Sequence, residues 1–229
     1  MLILGHQGAR ATHPGNTIAA FAAALDQGAD GVELDVRRTL DGTLALSHDP
    51  ALPDGRRLTD LGAADLPAEV PALSDALRVL EPARLVNVEI KNWPDDTDFD
   101  PAMALADAVV AAVADRGELD DGRVLVSCFH LPTVDRVHEL APGLATAWLV
   151  FDAREPAPLI EQTVAHGHVA IHPNQAFITA ELVDAAHAAG LAVNTWTCDD
   201  PERLRWFQDL GVDAVVTNDP ALAVAALRS

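Results

Sequence analysis

The chain has 229 residues, 49% of them hydrophobic, so it is long enough to bury a sizeable core within one domain. Its formal net charge of −20 and pI near 4.5 argue against nucleic acids and anionic membrane surfaces as partners, because both are bound by basic patches. An anionic substrate would need a metal ion or a few well-placed cations to reverse the field locally.

Two features of the chain bear on its compartment. No apolar run is long enough to span a bilayer, and the opening MLILG is followed at once by His6, without the apolar core of a secretory signal. Cys128 and Cys198 are too few and too far apart for a disulfide framework or a zinc ribbon, and we expect both to be small buried residues. The sequence predicts a cytoplasmic protein without a membrane span.

Short β-branched or apolar runs alternate with alanine-rich segments along the whole chain, which is typical of βα units around a parallel sheet. The predicted strands are 2–5, 31–36, 85–90, 124–128, 145–150, 169–171, 192–196 and 214–217. The predicted helices are 16–27, 73–80, 101–115, 131–140, 156–166, 179–189, 201–210 and 220–227. Eight such units predict an α/β fold, a (β/α)8 TIM barrel, in a single domain over residues 1–229.

An extra hairpin strand, residues 43–48, is predicted after strand two, followed by a short insertion rich in Pro, Gly and Asp at 50–71. Asp41 and Gly42 predict a two-residue turn, because such turns need the positive φ that Gly supplies. The resulting pairs are Leu40 with Thr43, Arg38 with Ala45, and Asp35 with His48. One bulged residue would instead turn His48 to the other face.

Three acidic residues are expected to meet at the carboxyl ends of neighbouring strands. Glu33 and Asp35 lie two apart on strand two and so face the same side, and Glu89 lies on strand three. Their carboxylates form a hard oxygen set suited to Mg²⁺, Ca²⁺ or Mn²⁺ rather than zinc. A cluster of salt bridges is the alternative, but three buried like charges without a cation would be costly.

Lys91 and two histidines complete the predicted site. Lys91 is the only lysine, against fourteen arginines, which favours a role for a compact ammonium over a rim lysine left by chance. His6 ends strand one and His48 ends the hairpin. Singly, each histidine is as easily explained by the core or the surface, but beside the acids they form a pair able to exchange protons near neutral pH.

Five segments of the chain together resemble the glycerophosphodiester phosphodiesterases: GHQGARATHPGNTIAAF, GVELDVRRTLDGTLALSHDP, VNVEIKN, VSCF and NTWTCDDPERLRWFQDLGVDAVVTNDP. The resemblance runs from His6 to Pro220, and its most specific part is E-x-D followed by HD at hairpin distance. It implies a metal-dependent TIM barrel that cleaves glycerophosphodiesters into glycerol 3-phosphate and an alcohol.

The resemblance also implies roles for individual residues. It assigns catalysis to His6 and His48, metal binding to Glu33, Asp35 and Glu89, phosphate contact to Lys91, and a place near the substrate pocket to Trp196. The implied cofactor is one divalent cation, Mg²⁺ or Ca²⁺, with Mn²⁺ as a further option. In the predicted reaction, His6 deprotonates the glycerol hydroxyl beside the phosphate and His48 protonates the departing alcohol, and water then opens a cyclic phosphate.

The chain departs from the family pattern at two positions. The family usually opens with HRG, whose Arg touches the phosphate, but this chain has Gln7, which donates a hydrogen bond without charge. Phosphate affinity should fall unless another Arg contacts the phosphate, and Arg10 is a better candidate for this than Arg38. An Arg10 that is only solvated fits the sequence equally well. The family's PENT has become PGNT, with Gly15 in place of Glu, and Asn16 is predicted to cap the first helix.

Two other functions are alternatives, and the departures at Gln7 and Gly15 motivate the second of them. A relative acting on lipids, such as a lysophospholipase D, would use the same barrel, although the short insertion offers no lipid groove. A phosphate- or metal-binding protein without turnover is the alternative from another class, and retention of both histidines argues against it.

Several further polar residues lie outside the predicted metal-binding and proton-transfer groups. His172 falls at the end of a strand and is open to a structural or a substrate-contacting role. Asn218 and Asp219 are expected to cap the last helix. His138, His166 and His168 are expected to be solvated residues of loops and helices.

Overall fold

A computed structural model describes residues 1–114, 116 and 122–228, and within them the backbone forms a closed barrel of eight parallel strands surrounded by helices. The strands are β1 (Leu2–His6), β2 (Gly31–Arg38), β3 (Leu44–Leu46), β4 (Leu85–Ile90), β5 (Val124–Cys128), β6 (Ala145–Val150), β7 (Ala170–Pro173), β8 (Ala192–Thr195) and β9 (Ala214–Thr217). The helices are α1 (Ile18–Asp26), α2 (Leu73–Val79), α3 (Ala104–Ala114), α4 (Leu131–Leu140), α5 (Pro156–Ala165), α6 (Ala180–Ala188), α7 (Pro201–Leu210) and α8 (Pro220–Arg228).

The barrel closes because β1 pairs in parallel with both β2 and β9. Around the barrel the order is β1, β9, β8, β7, β6, β5, β4, β2, and β3 adds to β2 as an antiparallel strand outside this ring. The predicted TIM barrel is therefore confirmed. Its carboxyl-terminal rim collects the ends of β1, β2 and β4, which carry the predicted site residues.

Local sequence signals explain where individual helices begin and end. The side chain of Asp200 accepts hydrogen bonds from the backbone of Glu202 and Arg203, Pro201 occupies the first turn of α7, and Gly211 ends it with φ 85°. Such a cap contributes about 1 kcal/mol to helix stability. These signals are short-range, so the sequence predicts the bounds of α7 correctly.

The bounds of α4, β4, β5, β6 and β9 also match the predictions, whereas those of other elements differ by one to three residues. The helix predicted at 101–115 begins only at Ala104, because Met103 has φ 58° and the carboxylate of Asp100 accepts from the Leu105 amide. The predicted end of this helix, Asp115, lies outside the described residues. The first helix is capped by Thr17, whose hydroxyl accepts from the Ala20 amide, so the prediction that Asn16 caps it is wrong.

The apolar core has two parts. Fully buried residues such as Phe21 and Phe207 fill the layer between the barrel and the helices. A smaller cluster, built on Leu125, Ala147 and Ala170, fills the barrel interior. Truncating a buried Phe to Ala typically costs about 3–5 kcal/mol, so these packing layers hold the strand ends in fixed positions.

The register of the hairpin between β2 and β3 differs by one residue from the prediction. Arg38 lies opposite Leu44 and Arg37 opposite Ala45, while the Ser47 amide donates to the Asp35 carbonyl. The loop has three residues, 40–42. Gly42 is the last of them, with φ 86°, and its amide donates to the Thr39 carbonyl. The predicted pairing of Asp35 with His48 is therefore wrong.

The segment 50–71 forms the predicted insertion beyond this hairpin. It contains two short 3-10 turns, Leu58–Asp60 and Ala63–Asp65, and a small cluster of buried Leu52, Leu58 and Leu61. The Leu40 amide donates to the Leu61 carbonyl, which ties the insertion to the hairpin loop. In the described part of the chain, no helix combines the length and the apolar character needed to cross a bilayer.

Candidate active site

Three carboxylates lie together at the carboxyl-terminal rim of the barrel. The parallel pairing of β2 and β4 sets Asp35 beside Glu89, and Glu33 lies two residues before Asp35. All three are buried, and one oxygen of each lies within 4.8 Å of the others. Among the described residues, Glu33 Oε1 has no hydrogen-bond partner.

Mutual repulsion and burial perturb these acids. Burial, reinforced by the charges of Asp35 and Glu89, raises the pKa of Glu33 well above its usual value, and burial also raises the pKa of Glu89. Burial acts in the same direction on Asp35, but the Lys91 charge and hydrogen bonds outweigh it and lower the pKa of that carboxyl. The site thus holds more negative charge than its protein environment stabilises.

Lys91 is the cation that faces this cluster. Its ammonium lies 2.5 Å from Glu89 Oε1 and 2.9 Å from Asp35 Oδ1, and its side chain is largely buried. Burial alone would lower the pKa of Lys91, but the three carboxylates outweigh it and raise the pKa above its usual value. Lys91 therefore remains charged and offsets part of the carboxylate charge.

A hard divalent cation fits these residues. The donors are carboxylate oxygens only, Glu33 Oε1 is unpartnered, and one lysine cannot balance three acids. Oxygen-only donor sets suit Mg²⁺, Ca²⁺ and Mn²⁺. Glu33, Asp35 and Glu89 are thus the residues that could hold such an ion.

His6 stands beside the carboxylates at the end of β1. Its Nε2 lies 3.9 Å from Glu33 Oε2, and its Nδ1 lies 2.7 Å from Asn218 Oδ1. Burial lowers the pKa of His6, while the hydrogen bond with Asn218 and the charge of Asp35 act in the opposite direction. A neutral His6 can accept a proton at Nε2.

Asn218 fixes the orientation of His6, which the sequence did not predict. Its amide nitrogen donates to Asp199 Oδ2 at 2.6 Å, which turns its carbonyl oxygen toward His6. The His6 proton then sits on Nδ1, leaving Nε2 as the free base. Asp219 does cap α8, because its carboxylate accepts from the Leu222 amide, so the capping prediction holds for Asp219 but not for Asn218.

His48 reaches the same cavity despite the shifted register. β3 ends at Leu46, and the His48 side chain, 58% exposed, lines the same cavity as His6. Its carbonyl accepts from Arg37 Nε at 2.9 Å. Arg37 is itself buried and paired with Asp96 and Asp98, so it anchors the His48 loop.

Gln7 points toward the metal-ligand candidates. Its side-chain amide donates to Asp35 Oδ2 at 2.7 Å, its backbone amide donates to Glu33 Oε2, and its φ is 53°. Asn16, with φ 57°, donates to the same Asp35 oxygen at 2.7 Å.

Arg10 is exposed and is not among the cavity-lining residues. Arg38 pairs with Asp100 at 3.6 Å.

Four aromatic side chains, which we call the aromatic wall, line the same cavity: Trp93, Phe129, Phe151 and Trp196. Phe129 and Phe151 stack with ring centroids 4.0 Å apart, and both tryptophans meet them edge-on. The Trp196 indole nitrogen donates to the His172 carbonyl at 2.9 Å, which holds its ring in place. Among these four, only Trp196 is predicted from the sequence.

One cavity of about 320 Å³ therefore joins all of these groups. His6 and His48 face it together with Glu33, Glu89, Lys91 and the aromatic wall, while Asp35 lies directly behind Lys91. Two imidazoles can move protons on either side of a bound ester, and a cation held by the acids can stabilise negative charge between them.

Both cysteines are free and buried, as predicted. Cys128 lines the cavity floor, but burial raises the pKa of its thiol to about 12, so it carries no nucleophilic thiolate. His172 also lines the cavity, and burial lowers its pKa to about 3, which leaves it neutral.

Comparison with known proteins agrees with this geometry. The chain is 30% identical to a glycerophosphodiester phosphodiesterase of Bacillus altitudinis, over 97% of this chain and 96% of the relative. It is 27% identical to one from Caldanaerobacter subterraneus, over 99% and 98% of the two chains. The crystal structure of glycerophosphodiester phosphodiesterase from Thermotoga maritima matches with a TM-score of 0.83 and 25% identity, over 98% of this chain and 97% of that one.

The match to the family itself is nearly as long as the chain. The profile of the glycerophosphoryl diester phosphodiesterase family covers residues 6–222, which includes both histidines, the three acids, Lys91 and Trp196. This chain belongs to the glycerophosphoryl diester phosphodiesterase family, a family of phosphoric diester hydrolases.

Proposed function

We propose that this protein hydrolyses glycerophosphodiesters to glycerol 3-phosphate and an alcohol, with one divalent cation and two histidines. The observation that carries the proposal is that His6 and His48 line one cavity with the buried acids and Lys91. Membership of the phosphodiesterase family and the name of the Bacillus altitudinis relative support the substrate class.

The cation would be held by Glu33, Asp35 and Glu89, and Mg²⁺ and Ca²⁺ are the first choices for an all-oxygen set, followed by Mn²⁺. When bound, such a cation supplies charge that polarises a phosphate oxygen. Lys91 adds a second positive charge at the same place, which matters because Gln7 contributes none.

Proton transfer is assigned to the two histidines. His6 Nε2, kept free by the hydrogen bond of Nδ1 to Asn218, takes the proton of the glycerol hydroxyl next to the phosphate. That oxygen attacks phosphorus, the bond to the alcohol breaks, and His48 gives the alcohol its proton. Water then opens the cyclic phosphate with the two roles exchanged, yielding glycerol 3-phosphate.

The leaving alcohol is placed against the aromatic wall. This wall lines the same cavity as Glu33, Glu89 and Lys91. A quaternary ammonium on the alcohol would be attracted to the faces of Trp and Phe rings, so choline suits this wall better than a small hydroxylated alcohol.

The direct test is to incubate the purified protein with glycerophosphocholine and Mg²⁺, Ca²⁺, Mn²⁺ or a chelator, and to measure the glycerol 3-phosphate released. We expect release that requires the ion. His6→Ala should abolish release while leaving Ca²⁺ binding intact, and His13→Ala, a histidine outside the cavity, should change neither. Unchanged turnover in His6→Ala would refute the mechanism.

A second candidate is a phosphate- or metal-binding protein without turnover. The observation that favours it is the inward position of Gln7, which gives its amide to Asp35. In that case, the wild-type protein would bind the divalent cation and glycerol 3-phosphate but release no product with any ion. If the proposed enzyme mechanism holds, glycerophosphocholine should be hydrolysed, whereas a diester without a neighbouring hydroxyl should react poorly.

A further inference from the structure

A second cluster of metal-ligating side chains lies away from the active site. It consists of Asp135 on α4, His166 and His168 in the turn between α5 and β7, and His138 one helical turn after Asp135. Because this turn precedes β7, the cluster lies toward the amino-terminal end of the barrel, whereas the active site occupies the carboxyl-terminal rim.

Three donor atoms of this cluster converge on one point. Asp135 Oδ1 lies 2.8 Å from His166 Nδ1 and 3.1 Å from His168 Nε2. The three donor atoms all lie within 4.8 Å of one another. Ligands of a tetrahedral zinc ion, each about 2.0–2.2 Å from the metal, stand about 3.3–3.6 Å apart, so the hydrogen-bonded side chains would need to separate by only about 0.5 Å to admit the ion.

The surroundings of His168 aim its ring at this point. His168 is buried, and its Nδ1 lies 3.0 Å from the hydroxyl of Thr146 on β6, so Nε2 is left to face Asp135. Metal-bound histidines characteristically have their other ring nitrogen held by a hydrogen-bonding partner. The prediction that His168 is solvated is wrong, because the side chain packs beneath α4 instead.

Gly167 makes room for a third imidazole. Its φ is 80°, which lets the flanking histidines point to the same side, and a Cβ at this position would lie only 2.8 Å from His138 Nε2. The His138 and His166 rings lie 6.0 and 6.1 Å, respectively, from that of His168. His138 lies outside the group of three donor atoms that are within 4.8 Å of one another, so it would supply a fourth ligand only after its ring moves toward Asp135.

We propose that Asp135, His166 and His168, with His138 as the fourth ligand, bind a transition-metal ion of the Zn²⁺ class. Imidazole nitrogens prefer such ions to Mg²⁺ or Ca²⁺, whereas the carboxylates Glu33, Asp35 and Glu89 have the opposite preference. The two sites thus select different metals. The bound ion would tie α4 to the turn that starts β7 and stabilise the barrel far from the substrate.

The test uses full-length protein without a histidine tag, stripped with a chelator. Zn²⁺ binding is measured by calorimetry, and Co²⁺ is used as a spectroscopic probe, because tetrahedral cobalt with nitrogen ligands absorbs in the visible range. We expect one such site in the wild-type protein and in Glu33→Gln, which removes a ligand of the other site. His166→Gln, at a half-exposed ring, should weaken Zn²⁺ binding at least tenfold.

A matched control separates this site from ordinary histidine–aspartate pairs. His187→Gln breaks the His187–Asp213 contact of 2.8 Å, which has no second histidine, and should leave Zn²⁺ affinity unchanged. Zn²⁺ should raise the melting temperature of the wild type and of His187→Gln but not of His166→Gln. Loss of the cobalt spectrum in Glu33→Gln, or unchanged Zn²⁺ affinity in a folded His166→Gln, would overturn the proposal.

Discussion

The side chain of Gln7 occupies the space that a Cβ atom on Gly15 would need. A Cβ built on Gly15 would overlap Gln7 Oε1 and lie 3.0 Å from Gln7 Cβ. The two departures from the HRG and PENT patterns therefore lie in direct contact with each other. Gln7 turns inward to donate to Asp35, and the absence of a side chain at position 15 permits it.

This relationship predicts that substitutions at the two positions are coupled. Gly15→Ala should lower the free energy of unfolding by about 1–3 kcal/mol, because the added methyl group overpacks against Gln7. In a Gln7→Ala background the same change should cost less, with a coupling energy of about 1 kcal/mol. Urea unfolding of the four proteins measures this cycle, and equal costs in both backgrounds would contradict the coupling.

Asn218 is predicted to position His6 without stabilising the fold. Asn218→Ala should lower kcat for glycerophosphocholine about 10- to 100-fold and leave KM nearly unchanged. The loss is smaller than the roughly 10²–10⁴-fold that a general base contributes in total, because His6 itself remains. Asp219→Ala is the control, because it removes the cap of α8 instead. That variant should lose about 1 kcal/mol of stability with kcat intact. A parallel loss of stability and rate in Asn218→Ala would argue against a positioning role.

Glu33 is predicted to destabilise the metal-free protein. Burial and the neighbouring acids raise its pKa, so an ionised Glu33 is unfavourable at neutral pH without a cation. In the presence of a chelator, Glu33→Gln should be more stable to urea than the wild type by about 1 kcal/mol or more. Added Mg²⁺ or Ca²⁺ should stabilise the wild type more than the variant, and turnover should be lost. If Glu33→Gln were less stable than the wild type in the presence of the chelator, repulsion among the three acids would not be destabilising the metal-free protein.

His172 gives a pH dependence to stability. Its folded pKa of about 3 lies below the ordinary value of 6.5, so the unfolded chain binds more protons between these values. Above pH 6.5 the neutral His172 therefore costs the folded state no stability. As the pH falls from 6.5 toward 3, the free energy of unfolding decreases by about 1.4 kcal/mol per pH unit. His172→Gln should reduce the difference in unfolding free energy between pH 5.0 and 7.5, compared with wild type and His187→Gln. An unchanged difference would contradict this assignment.

The aromatic wall predicts a preference among leaving alcohols. Phe151→Ala removes the exposed half of the Phe129–Phe151 stack and should lower kcat/KM for glycerophosphocholine about tenfold. The diester of 3,3-dimethylbutanol, a neutral isostere of choline, should be a poorer substrate than glycerophosphocholine for the wild type. Equal kcat/KM values for the two diesters would show that the aromatic wall recognises the shape of the alcohol rather than its charge. That result would not bear on the hydrolytic mechanism.

The barrel could be predicted from sequence because its signals are local and repeated. Each βα unit carries its own apolar run, several helices also have a capping side chain or a following Gly, and parallel neighbours bring strand ends together whatever the exact register. The meeting of Asp35 and Glu89 follows from this rule alone. The same reasoning predicted Lys91 and His6 at the rim, although it says nothing of the partner that orients His6.

The hairpin shows where such reasoning fails. Asp-Gly is compatible with a two-residue turn and with the last two positions of a three-residue loop, and the structure has the second. Similarly, the positive φ of Gln7 carries no sequence signal, and that of Asn16 carries only a weak one, because Asn adopts this conformation more often than other non-Gly residues. His138, His166 and His168 are spread over α4 and a distant turn, so only the folded chain reveals their proximity.

The solitary lysine makes the amine chemistry of this protein unusually simple. Apart from the amino terminus, Lys91 Nζ is the only primary amine of the chain, and the carboxylates around it keep it protonated. In the native protein, an acylating reagent should modify the amino terminus and spare Lys91. Labelling of Lys91 then reports the moment at which the carboxylate cluster opens, so intact mass alone can follow the integrity of the active site.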